Sequence, residues 1–261
     1  MIIDNPTPSQ IPALRSLWRE AFGDSDEFLD IFMDTAFSLD RCRCVTIGGN
    51  VVAALYWFNC SFADMPVAYI YAVATAYEYR GQGICHRLMA DTHSHLSSLG
   101  YRGALLVPGH PSLFDFYERI GYRSCCSHDE IFCTIDDDAI DMMQSGSSLR
   151  IEIIDKYEYA TLRRVLLPEG SVVQEGENLD FLAAQVKFYR GEDFLLAAYT
   201  HEGGLIGVEL LGDKKVAAKL TYKLGCSTGL FRSPGQTSPY AMYFPLDECA
   251  LTPSYFGFAF D

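Results

Sequence analysis

The 261-residue chain has no Lys/Arg-rich run, and its 20 basic residues are outnumbered by 34 acidic ones, a formal net charge of −14. A duplex-binding surface needs a basic stripe to displace counterions from phosphates, so nucleic acid is not an expected partner. The negative field instead favours cationic small molecules such as amines. No apolar run reaches the roughly 18 residues of a membrane helix. The opening Met1-Ile2-Ile3-Asp4-Asn5-Pro6 has neither the basic nor the apolar region of a signal peptide. The nine cysteines lack paired CxxC or His spacing, and Cys42/Cys44 and Cys125/Cys126 stand too close for ordinary local bridges. The expectation is a cytoplasmic protein with no membrane partner, no metal, and reduced thiols packed as small apolar side chains.

What remains is globular in character: apolar residues make up 49% and charged residues 21%, close to an ordinary folded protein. The length suits one large domain or two modest ones. Residues 8–22 carry an amphipathic helix pattern with Ser9 as its cap, and a second helical pattern follows Ser25 through Phe37. The period then changes to that of strands at Cys44–Ile47, Val51–Phe58 and Pro66–Thr75, with Gly48-Gly49-Asn50 as a hairpin turn. A helix from Gln82 to Leu99 is closed by Gly100, its buried stripe being Cys85, Leu88, Met89, Thr92, Leu96 and Leu99. Gly103–Val107 reads as a strand, Pro111–Ile120 as a helix and Ile131–Ile135 as a strand.

The polar, small residues Asp136–Asp138 and Gln144–Ser148 read as a linker, dividing the chain into domains 1–138 and 149–261. Beyond it come a strand at Leu149–Ile154 and helices at Glu158–Leu166 and around Phe181–Phe188. Strands at Phe194–Thr200 and Leu205–Leu211, a helix at Lys214–Leu224, and strands at Tyr240–Phe244 and Phe256–Phe260 finish it. The element order of the first half is partly repeated in the second.

The segment with the most chemistry is Val73-Ala74-Thr75-Ala76-Tyr77-Glu78-Tyr79-Arg80-Gly81-Gln82-Gly83-Ile84-Cys85-His86. A strand enters a glycine-containing turn that opens directly into a helix. Such a turn can aim successive N–H groups inward, and the helix N-terminus adds its dipole, so the pair favours a phosphate. It is not a Walker loop, because no Gly-Lys-Ser/Thr follows, nor a dinucleotide fingerprint, because His86 stands where a third glycine is needed.

Arg80-Gly81-Gln82-Gly83-Ile84-Cys85 resembles the acetyl-CoA loop of the GNAT superfamily of N-acetyltransferases, whose pattern is Arg/Gln-x-x-Gly-x-Gly/Ala. Cys85 replaces the last small residue, and Tyr77 stands where proline is common. The resemblance implies an α/β fold, with a mixed, mostly antiparallel sheet flanked by helices. Gly212-Asp213-Lys214-Lys215-Val216 takes the place of this loop in the second half, without the glycine spacing. The second half therefore resembles a degenerate GNAT repeat, the tandem arrangement of enhanced-intracellular-survival acetyltransferases and N-myristoyltransferases.

In such a protein acetyl-CoA is the acyl donor. Its pyrophosphate would take backbone amides from Gly81, Gln82, Gly83, Ile84, Cys85 and His86, beside Arg80. Its pantetheine would pair with Val73, Ala74 and Thr75, and one amide there would face the thioester oxygen. Phe116-Tyr117-Glu118-Arg119-Ile120-Gly121-Tyr122 matches the family's helix bearing a tyrosine near the sulfur, which makes Tyr117 the candidate acid. Ala68 to Thr75 holds no carboxylate to act as base, and Glu78 lies on a loop. The tandem families suggest the terminal carboxylate, here Asp261, after the apolar run Tyr255–Phe260. The implied function is transfer of an acetyl group to a primary amine of a small, cationic acceptor. A non-catalytic acyl-CoA sensor or scaffold and a longer-chain N-acyltransferase stand as alternatives. Pairing of copies into a homo-oligomer stays open.

Overall fold

The computed structural model describes residues 1–136, 149–248 and 251–260. Most of the linker segment and Asp261 lie outside the described residues. The chain divides into two compact units. The first comprises Met1–Ser124, Gln174–Phe181 and Met242–Thr252; the second comprises Cys125–Val173, Leu182–Ala241 and Pro253–Asp261. No helix among the described residues is long and apolar enough to cross a membrane.

In the first unit, β1 (Ile2–Asp4), β2 (Cys42–Ile47), β3 (Asn50–Phe62) and β4 (Met65–Thr75) pair antiparallel in that order. β5 (Gly103–Leu106) then pairs parallel to β4, and residues Met242–Pro245 pair antiparallel to β5. Every residue from Val52 to Phe58 on β3 is buried, because both faces of the strand are covered. Tyr56 and Phe58 meet Phe32, which lies on α2 (Asp26–Thr35), and Tyr56 also meets Trp18 on α1 (Ile11–Phe22). Leu55 and Trp57 share a core cluster with Leu88, Met89 and Leu96 of α3 (Ile84–Ser98). This is the period of two expected of a strand packed between helical layers. Phe181, brought in from the second half of the sequence, is fully buried against Phe28, Phe32 and Phe58.

Two readings of this unit are corrected. The N-terminal cap is a reciprocal pair between Thr7 and Gln10 around a short 3-10 turn, Pro8–Gln10, rather than Ser9. Pro8 opens that turn, and the α-helix starts only at Ile11, with Pro12 in its first turn. Leu99 is 55% exposed, because α3 ends at Ser98 and Leu99 is its C-cap.

His93 of α3 faces the interior, where its Nε2 lies 2.8 Å from the Tyr122 hydroxyl and its ring stacks on Phe244 at 4.1 Å. Burial lowers its pKa from 6.5 to about 4. Unfolded chains take up this proton near pH 6.5 and the native protein does not, so stability is full above that pH. It falls as the pH is lowered toward about 4 and is then level, a loss of about 3 kcal/mol from this group. Urea unfolding compared at about pH 7 and about pH 4.5 measures the loss. His93→Gln should flatten the slope, and an unchanged slope would reject the assignment.

The second unit repeats the pairing plan. Glu152–Ile154, Lys187–Arg190, Phe194–His201 and Gly204–Gly212 are antiparallel neighbours in that order, and Thr228–Pro234 runs parallel to the last of them. Helix Lys156–Leu166 follows the first strand and helix Ala217–Lys223 precedes the parallel one, as α1 and α3 do in the first unit. His128–Thr134 then pairs antiparallel with Thr228–Pro234. Each unit thus receives its sixth strand from the other half of the sequence.

Three readings of this half change. The helix expected around Phe181–Phe188 spans Glu177–Ala183, and Phe188 lies in a strand. The strand expected at Ile131–Ile135 runs from Arg123 to Thr134, and Thr228–Pro234 is an added strand. The expected strand at Phe256–Phe260 is not one: the segment is buried without a ladder. It is held by side chains. Tyr255 donates from its hydroxyl to Glu209 Oε1 at 3.1 Å, and the Arg163 guanidinium lies 4.8 Å from the Phe258 ring centre. Arg163 and Glu209 form a two-pronged buried pair at 2.6 and 2.9 Å, and the Tyr159 hydroxyl donates to Glu209 at 2.6 Å. Gly257 passes so close to this pair that a Cβ there would collide with both.

Candidate active site

The glycine turn takes the conformation that its residues allow. Gly81 and Gly83 have φ of +74° and +72°, in the left-handed region, and a Cβ at either would meet open space. The requirement for glycine is therefore conformational rather than steric. Gly83 caps α3 without any side-chain acceptor, and the first main-chain bond of the helix runs from Arg87 N–H to the Gly83 carbonyl at 3.2 Å. The N–H groups of Ile84, Cys85 and His86 precede that bond and have no partner within the helix. Around them Gly81, Gln82, Gly83 and His86 are exposed, while Ile84 is buried and anchors the first turn. Arg80 Nε donates to the Thr75 carbonyl at 2.9 Å, and Gln82 Nε2 donates to the Glu78 carbonyl at 3.0 Å, which holds the turn against the end of β4. On its other side the Tyr77 N–H donates to Glu20 of α1 at 2.6 Å.

β4 breaks its register just before this turn. Ala54 faces Ala74 and Tyr56 faces Tyr71, so Ala72 and Val73 together oppose Leu55. Ala72 sits at φ +48°, the bulged conformation that a non-glycine residue seldom takes. The parallel ladder to β5 ends at Tyr69 opposite Leu105. Beyond that point the segment with Val73, Ala74 and Thr75 pairs only with β3 among the described residues of this unit. Its other edge offers main-chain groups to any extended molecule bearing amides.

Helix α4 (Leu113–Ile120), ended by Gly121 in the left-handed conformation, carries Tyr117 on its buried face. Tyr117 belongs to the same core cluster as Ile84, with Cys85 packed against it. Its ring meets that of Tyr122 edge-on at 5.8 Å. Burial, then the neighbouring Cys85 thiol, hold the phenol above its ordinary pKa, and burial raises Cys85 to about 11. Both groups are therefore protonated at neutral pH, and a protonated phenol can give a proton to a leaving anion.

These elements bring together the turn at 80–86, the free edge at 73–75 and Tyr117. Asp261 lies outside the described residues. His86 is exposed in the first turn of α3, and His110 is exposed and bonded to Ser112 at 2.8 Å. The bulge at Ala72 and the His93–Tyr122 pair carry no sequence signal, since the first rests on a non-glycine residue and the second joins positions 29 apart.

The arrangement can hold an anion at the α3 N-terminus, pair an amide chain along β4 and present a phenol. Residues 3–125 match the family model of the GNAT acetyltransferase domain. The chain is similar in fold to a GCN5-related N-acetyltransferase from Kribbella flavida, at 18% identity and TM-score 0.71, covering 94% of this chain and 71% of that one. One from Anabaena variabilis gives 15% identity and TM-score 0.74, over 95% and 73%. Eis1 from Mycobacterium abscessus gives 12% identity and TM-score 0.69, over 95% and 74%. No curated protein matches at the level of sequence. The chain has the GNAT fold, and its residues 3–125 match the GNAT acetyltransferase domain.

Proposed function

We propose that the protein is an acetyl-CoA-dependent N-acetyltransferase whose acceptor is the primary amine of a small, cationic molecule. The observation that carries this reading is the pairing of the two left-handed glycines, 81 and 83, with unpartnered helix amides at the end of a bulged, one-edged strand. A pyrophosphate suits the amides of residues 81–86, and an amide-bearing pantetheine arm suits the edge at Val73, Ala74 and Thr75. In the transfer, the amine nitrogen forms a bond to the thioester carbon and the carbon–sulfur bond breaks. A main-chain N–H at the β4 edge stabilises the oxyanion, and the Tyr117 hydroxyl gives its proton to the departing sulfur. The ammonium must first lose a proton, and we assign that base to Asp261. The net charge of −14 supports a cationic acceptor.

We read residues 1–138 as the catalytic domain and 149–261 as a degenerate repeat. The repeated strand pairing supports this, as does the turn after Gly212. There the Asp213 carboxylate accepts from Lys215 N–H at 3.0 Å, so the second half fills with its own negative charge the place where the first leaves amides open.

The test is thiol release from acetyl-CoA and from longer acyl-CoAs, against polyamines, aminoglycosides, amino acids and peptides. Turnover should appear with acetyl-CoA and at least one amine. Tyr117→Phe should lower kcat on the order of 100-fold with KM for acetyl-CoA little changed. Removal of Asp261 should lower turnover at neutral pH by a similar factor. Unchanged turnover in either variant would remove that residue from the mechanism.

A further inference from the structure

Two adjacent cysteines of the second unit are placed in a way that core packing does not require. Successive side chains on a regular strand point to opposite faces, yet the Sγ atoms of Cys125 and Cys126 lie 3.1 Å apart. Both lie within the strand Arg123–Thr134, ahead of the stretch from His128 that pairs with Thr228–Pro234. Cys125 is half-buried and Cys126 is buried. Their sulfurs also lie near two carbonyls, Cys125 at 3.5 Å from Ala241 O and Cys126 at 3.7 Å from Pro253 O.

We propose that Cys125 and Cys126 form a redox-reactive dithiol, a modification site that closes to a vicinal disulfide on meeting a small-molecule disulfide such as oxidised glutathione. The two sulfurs need to approach from 3.1 Å to the disulfide bond length of about 2.05 Å. The half-buried Cys125 is the attacking group, and the buried Cys126 resolves. Contact with Cys125, then burial, push the Cys126 thiol up, and Cys125 is the more accessible of the two to a glutathione disulfide. The Cys125 thiolate attacks one sulfur of the glutathione disulfide and expels one glutathione as thiolate. Cys126 gives its proton to that thiolate, attacks the Cys125 sulfur of the mixed disulfide and expels the second glutathione. Two protein thiols are oxidised to one disulfide and one glutathione disulfide is reduced to two thiols, which balances the exchange.

The other described cysteines are poorer candidates. Cys42, Cys44, Cys60 and Cys226 are buried, Cys85 packs against the first-unit core, and Cys133 lies 3.1 Å from the Thr221 hydroxyl.

The experiment uses the full chain, treated with oxidised glutathione, alkylated with iodoacetamide and cleaved before aspartates. The fragment Asp115–His128 contains these two cysteines and no other. It should escape alkylation and be lighter by two hydrogens, and regain both thiols with a reductant. Cys126→Ser should instead retain one glutathione on Cys125. A wild-type fragment alkylated twice, under conditions that oxidise the fragment with Cys133, would overturn the proposal. So would a wild-type fragment that keeps glutathione on Cys125 without closing.

Discussion

Gly83→Asp is expected to weaken acetyl-CoA binding on the order of 100-fold or more, measured by calorimetry. A Cβ at Gly83 meets nothing within 4 Å, so the side chain is accommodated and the protein folds. The left-handed φ of +72° costs about 1–2 kcal/mol of stability for an L-residue, and that cost falls on the folded protein with or without ligand. Binding suffers for a different reason. The new carboxylate stands at the N-terminal end of α3, where the phosphates would lie. Two unit charges about 4 Å apart at a protein surface repel by about 4 kcal/mol, and about 2.7 kcal/mol is already 100-fold in affinity. Gly83→Ala separates the two effects. It carries the strain without the charge, and should lose stability while keeping most of its affinity. If both variants bind acetyl-CoA like the wild type, the turn is not the phosphate site.

Glu209→Ala is expected to cost about 3–5 kcal/mol of stability, because it leaves the Arg163 guanidinium buried without its counter-charge. Arg163 is 2% exposed and Glu209 is fully buried, so water cannot replace the lost partner. The Tyr159 and Tyr255 hydroxyls lose the same acceptor. For a protein of this length each kcal/mol shifts Tm by roughly 2–4 °C, so Tm should fall by on the order of 10 °C. The double variant Arg163→Met with Glu209→Leu removes both charges at similar volume, and should recover much of the loss. A single variant as stable as the wild type would mean that the cluster does not hold the segment after Pro253.

How much of this was legible in the sequence differs from element to element. The turn and α3 were readable because the glycines, the buried Ile84 and the stripe Leu88, Met89, Thr92 and Leu96 are all local signals within the 16 residues Gly81–Leu96. Thr228–Pro234 was missed because its run Thr-Gly-Leu-Phe-Arg-Ser-Pro is short, broken by Gly and Pro, and stabilised by partners 94 or more positions away in one neighbour. Phe256–Phe260 misled in the opposite sense. Its apolar residues are buried as a strand's would be, yet Arg163 and Glu209 hold it through side chains, and no periodicity distinguishes the two cases. The helix at Glu177–Ala183 was displaced because Phe188, read as part of its apolar face, belongs to the next strand. In the candidate site, the glycine turn opening into α3 was readable from local residues. The bulge that frees the edge of β4 was not, because Ala72 takes a positive φ that its residue type does not announce.

The most direct test of acetyl-CoA binding at the α3 N-terminus is thermal unfolding of the ligand-free protein with and without acetyl-CoA. At 100 times its dissociation constant, a ligand that binds only the native state adds about 2.7 kcal/mol. That corresponds to a rise in Tm of roughly 5–10 °C at this chain length. The expected result is such a rise for the wild type and none for Gly83→Asp at the same concentration. An unchanged Tm across the acetyl-CoA series, in a properly folded and ligand-free sample, would contradict it.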